Sequence, residues 1–128
     1  MLKRHNPPNV APPFARYSHG VEAPANARWL HVSGQVGVTP DGKVQDGAEA
    51  QIEQAWRNVL SVLQAAGMGP RDLVKVTTLL LDRADLPTAR AVRERMLQGA
   101  EPASTLMIVA GLASPDWLVE IEAIAAAA

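Results

Sequence analysis

Hydrophobic and polar positions alternate most regularly near the end of the chain. Val119, Ile121 and Ala123 fall on one side of an extended segment, and Glu120 and Glu122 on the other. A period of two belongs to a strand with one dry face and one wetter face. Residues two apart on such a face lie roughly 7 Å from each other, so the two carboxylates are neighbours and repel modestly. Trp117–Ile124 is therefore predicted as a strand, reached from another over Pro102–Val109 through a turn at Ala113-Ser114-Pro115-Asp116. Further back the period changes. Ile52, Ala55, Trp56, Val59, Leu60 and Leu63 recur at three and four, which predicts an amphipathic helix with Trp56 facing the core. Asp46 and Glu49 have the spacing of a capping box, and Gly67 stops the helix.

Leu73–Leu81 reads as a strand between Pro70 and Asp82. A second helix is predicted from about Asp85 to Gln98, with Pro87 in its first turn and Gly99 after its end. Its apolar positions are Leu86, Ala89, Val92 and Met96; Arg90, Arg93, Glu94 and Arg95 read as solvated faces. The first half of the chain is less periodic. Residues 1–15 form an irregular arm, because Pro7-Pro8 and Pro12-Pro13 remove backbone donors. Residues 16–128 form a single domain. Strands are expected over Arg16–Glu22 and Arg28–Ser33, with the five-residue link between them suiting a hairpin. Ser33-Gly34-Gln35 marks a bulge or a close backbone approach, and Val36–Val44 a short hairpin turning at Pro40-Asp41-Gly42.

Strands, helix, strand, helix and two strands make an α+β fold. Two helices with one apolar stripe each cover one face of a sheet of about six strands. The other face holds enough Val, Leu, Ile and Trp to predict burial by self-association. Composition narrows the chemistry. At 48% hydrophobic, 20% charged and a net charge of −1, the chain offers no basic footprint for nucleic acid or an anionic membrane. With no cysteine, disulfides, thiol catalysis and thiolate metal sites are excluded. No apolar run reaches signal-peptide or membrane-span length, so a cytoplasmic location is expected. His5, His19 and His31 lack ligand spacing, and neither a phosphate-cradling loop nor a nucleophile elbow is present, so no metal and no cofactor is expected.

Several stretches together resemble the RidA/YjgF/YER057c/UK114 family, whose active members hydrolyse reactive enamines and imines. They are Tyr17-Ser18-His19-Gly20-Val21, Val32-Ser33-Gly34-Gln35, the helix Gln51–Gly67, Asp72–Thr77, Pro102-Ala103 and Val119–Ile124. The resemblance implies a chorismate-mutase-like fold and a homotrimer with a small-molecule cleft at each subunit boundary. It also implies roles for matching residues: Glu120 activating water, Tyr17 hydrogen-bonding substrate, and Ser33, Gly34, Arg90, Ser104 and Leu106 lining the ligand site. The chain departs from the pattern at one decisive place. Deaminases of the family carry a carboxylate-binding arginine after Pro-Ala, whereas Pro102-Ala103 is followed here by Ser104, with Leu106 two further on. Action on 2-imino acids through the usual clamp is therefore not expected, unless Arg90 or Arg16 supplies the charge. The alternative is a trimer that binds a small ligand or a partner without turnover.

Overall fold

A computed structural model describes all 128 residues. Its strands are β1 (Lys3–His5), β2 (Gly20–Glu22), β3 (Arg28–Val36), β4 (Leu73–Leu80), β5 (Ala103–Ile108) and β6 (Val119–Ala127), with helices α1 (Ala48–Ala65) and α2 (Leu86–Leu97). The order across the main sheet is β3-β6-β4-β5, and β1 and β2 form a separate two-stranded ribbon. The six expected strands are thus divided four and two. The β4–β5 pair is parallel, and α2 is the crossover such a pair requires. The period-two segment β6 becomes a central strand, antiparallel to both β3 and β4.

The inward positions of the sheet meet the stripes of both helices. Val32, Val76, Leu80, Val119, Ile121, Ala123 and Ala125 pack with Ile52, Trp56, Val59, Leu63 and Val92 in one core. Complete burial of each large apolar side chain stabilises by about 1.5–3 kcal/mol. The stop of α1 forms as expected: Gly67 donates to Gln64 and Met68 to Leu63, with Gly67 at φ 72°, the Schellman arrangement. Its start does not. Gly47 holds the N-cap and no side chain caps the helix, so the box at Asp46 and Glu49 is absent.

Three other expectations are corrected. The arm is not irregular throughout, since Lys3–His5 pairs with Gly20–Glu22. The strand expected over Arg16–Glu22 is regular only from Gly20, and it does not form a hairpin with β3. The reason is competition: β3 pairs along most of β6 at one edge of the sheet, while Ser18 bridges Ala103 at the other edge. The outer sheet face carries the expected apolar residues, with Trp29 and Met107 about half exposed and Val36 and Leu79 in the row of Met107, alongside a polar row in which Thr77 pairs with Thr105 and Glu122. No helix is long and apolar enough to cross a membrane.

One buried polar side chain on α1 ties two loops together. Gln51, 3% exposed, donates to the carbonyls of Gln45 at 3.1 Å and Asp116 at 3.0 Å, and accepts from the Leu118 amide at 2.8 Å. Gln51→Leu keeps the volume but leaves three backbone groups without partners. At about 1–3 kcal/mol for each buried group left unpaired, with part regained from water, the expected loss is about 2–4 kcal/mol in a urea titration. A loss below about 1 kcal/mol would show that water replaces the amide there.

Candidate functional site

Strand register decides which residues can share a site. Ser104 lies in a row with Val76, Ala123 and Val32. Side chains in one row point to the same face, and the other three are core residues. Ser104, and Leu106 two residues on, therefore face α2. Glu120 lies in a different row with Val36, Leu79 and Met107, on the outer face.

The helix-side group forms a cleft of about 290 Å³ between α2 and β5. Tyr17 reaches it because Ser18 is stitched to the start of β5: its amide donates to the Pro102 carbonyl at 3.1 Å and its hydroxyl to that of Glu101 at 2.6 Å. The Tyr17 hydroxyl accepts from the Phe14 amide at 3.1 Å, which leaves its own proton available to a ligand. Leu86, Arg90 and Arg93 come from α2, four and three residues apart on one face, and Phe14 and Ala15 close the remaining wall. Arg90 is exposed. Arg16, the other arginine expected to substitute for the missing one, turns away, its Nε 3.7 Å from Glu101.

Arg93 departs from expectation most. It reads as a solvated residue, yet it is 8% exposed. Its Nη1 donates to Ser104 Oγ at 3.2 Å, while Nε and Nη2 are buried without an acceptor. Burial pushes its pKa below the usual arginine value, Glu94 opposes the shift and Arg90 adds to it; the group stays charged near neutrality. The signal was in the spacing: Arg93 stands four after buried Ala89 and four before buried Leu97.

The second group lies on the other side of the sheet. Gly34 sits beside a register shift between Val32 and Gln35, and the Glu120 side chain lies directly over it. A Cβ at Gly34 would stand 2.7 Å from Glu120 Cδ and 2.9 Å from Cγ. The close approach expected at Ser33-Gly34 is thus made by the carboxylate of β6. Ser33 itself is exposed. Glu120 and Ser104 are two strand spacings apart across the sheet, about 10 Å, and three residues apart along it, and they face opposite ways. One chain therefore joins Tyr17, Arg90, Ser104 and Leu106 in one place and Glu120, Ser33 and Gly34 in another.

This chain belongs to the endoribonuclease L-PSP family, the Rid proteins, whose family model matches residues 8–127. It is 37% identical over 111 residues to the 2-iminobutanoate/2-iminopropanoate deaminase of Mus musculus, covering 85% of this chain and 79% of that one. It is 32% identical to a RutC family protein of Pyrococcus horikoshii, covering 91% of each. Among solved structures, YyfB of Yersinia pestis, a Rid protein of unknown function, matches with a TM-score of 0.88 and 34% identity over 97% of both chains. E. coli TdcF with bound serine matches with a TM-score of 0.75 and 28% identity over 91% of both. The expected α+β fold of this family is the fold observed.

Proposed function

We propose that the chain is a cofactor-independent hydrolase that deaminates small imines or enamines in a cleft completed between copies of itself. The observation that carries this reading is the split site. The proton acceptor, Glu120, and the α2–β5 cleft face opposite ways on one chain, so a neighbouring copy must bring one to the other. The relatives named as imine deaminases support the chemistry, and the serine bound by TdcF supports a small amino-acid-like ligand.

The reaction needs few groups. Water adds its oxygen to the C=N carbon, Glu120 takes the proton released, and the nitrogen is protonated to an amine. The resulting carbinolamine then breaks its C–N bond. Ammonia leaves, the hydroxyl loses its proton, and a carbonyl remains. Tyr17 holds the substrate by its free O–H, and backbone amides near Ser33-Gly34 or Leu106 polarise the reacting group.

Two measurements test the reading. An amino-acid oxidase generates 2-iminobutanoate in place, and the protein is expected to speed release of ammonia above the spontaneous rate. Sedimentation is expected to show a trimer of about 41 kDa, three times the 13.6 kDa chain. A well-folded monomer at micromolar concentration that still hydrolyses the imine would sink the shared cleft. A trimer that binds small carboxylates without turnover would instead make it a binding protein.

A further inference from the structure

Ala89, Arg93 and Leu97 stack four apart on α2, and all three are buried. A core accepts the first and last without cost. The middle one brings a positive charge into the protein with a single neutral partner, the Ser104 hydroxyl. Glu94, next in the chain and exposed, acts on it through space without an ion pair, while Glu101 is held by Arg4 and Arg16 and Glu53 by Arg57 and Arg95. A buried cation without a contacting counter-ion destabilises a fold, and replacing buried ionic groups with apolar ones of similar size is often neutral or stabilising. Stability therefore gives no reason for an arginine at this position.

The two nitrogens without acceptors specify what the residue suits. A guanidinium is planar, and Nε–H and one N–H of Nη2 run parallel along one edge. Those are the two left without an acceptor. Two parallel donors on one edge match the two oxygens of a carboxylate. Ser104 holds the third nitrogen, Nη1, and so fixes the plane. Tyr17, Leu86 and Leu106 supply the body of the cleft.

We propose that Arg93 is the carboxylate-recognising residue of this protein, presenting its Nε–Nη2 edge to the substrate from α2, with Ser104 as the positioning residue that orients it. The inference deepens the reading of the cleft as an imine-hydrolysing site and names the anion it holds. Both nitrogens are covered, so a bound carboxylate requires the side chains around them to shift.

The test is calorimetric binding of 2-oxobutanoate, the product of 2-iminobutanoate hydrolysis, and of its primary amide. Native protein, Arg93→Met, Arg93→Lys and Arg90→Met are compared. Arg93→Met is expected to weaken the carboxylate by about 30- to several-thousand-fold, the range for truncating one partner of a desolvated charge pair. Arg93→Lys recovers only part of the loss, because it keeps the charge without the fork. The amide is expected to bind weakly and equally to native and Arg93→Met. Arg93→Met should also melt no lower than native, which a purely structural arginine would not allow. Equal carboxylate affinity in native and Arg93→Met overturns the proposal, as does a larger loss from Arg90→Met. Should Arg93→Met fail to fold, a native preference for carboxylate over amide of less than about tenfold overturns it. Imine turnover indifferent to Arg93 would leave the hydrolase reading standing and remove this one; Arg93-dependent binding without turnover would do the reverse.

Discussion

Glu120→Gln is expected to leave the fold and its melting temperature nearly unchanged while slowing imine hydrolysis by a factor on the order of 10²–10⁴, the usual contribution of a positioned general base. Glutamine keeps the size and reach of the side chain but cannot accept the proton that water must release. The position tolerates the change because it lies on the outer sheet face and is only half-buried. A companion variant separates charge from placement. Gly34 is absent from the positive-φ glycines, so alanine fits its backbone. The new Cβ would stand 2.7 Å from Glu120 Cδ, however, and must drive the carboxylate to another rotamer. Gly34→Ala should therefore lose activity comparably while Glu120 itself remains present. Steady-state rates of 2-oxo acid formation decide the matter. If Glu120→Gln turns over like the native protein, Glu120 is a polar surface residue and the base lies elsewhere.

The regular elements were legible because their causes are local. The three-and-four spacing over Ile52–Leu63 and the alternation over Val119–Ala123 each follow from the geometry of one element, and both appear where expected. Strand partners were not legible in the same way. Whether Arg28–Val36 joins the preceding segment or β6 depends on a residue pair roughly ninety positions apart, such as Val32 with Ala123. Nothing within the Ala23–Ala27 link records that choice. The ribbon strand Lys3–His5 is three exposed residues long and has no periodicity to detect.

Two buried polar residues, Arg93 read as solvated and Gln51 not singled out at all, share a more useful cause. Gln51 lies four before Ala55 and Arg93 four after Ala89, each on the stripe its helix buries. Read by chemistry, a glutamine and an arginine belong in water; read by position, they belong inside. Burying either costs free energy unless something compensates. Gln51 is compensated by three backbone groups, and Arg93 by one hydroxyl. A polar residue on an apolar stripe thus marks either a structural knot or a ligand site, and the number of satisfied hydrogen bonds separates the two. The individual site residues came from the resemblance, while the division of the site between two faces came only from register.

Moving the guanidinium from α2 to β5 is expected to restore what Arg93→Met removes. In the native background Ser104→Arg should fail, because it places a second cation where Ser104 Oγ now lies 3.2 Å from Arg93 Nη1. Two like charges about 4 Å apart repel by roughly 4 kcal/mol at an effective dielectric constant near 20. That variant should melt below the native protein and bind 2-oxobutanoate no better. In Arg93→Met the repulsion is gone and an apolar side chain takes its place. Ser104→Arg then stands directly after Pro102-Ala103, where the resemblance places the carboxylate-binding arginine of the family's deaminases. Recovery of about 30- to several-thousand-fold in carboxylate affinity over Arg93→Met alone is expected, the same range as the loss. The two substitutions must therefore be strongly non-additive, as contacting residues that share one role are. A double variant that folds and binds no better than Arg93→Met would show that α2 and β5 do not address the same point in the cleft. The departure at Ser104 would then mark a different ligand, and not the same anion held from the opposite wall.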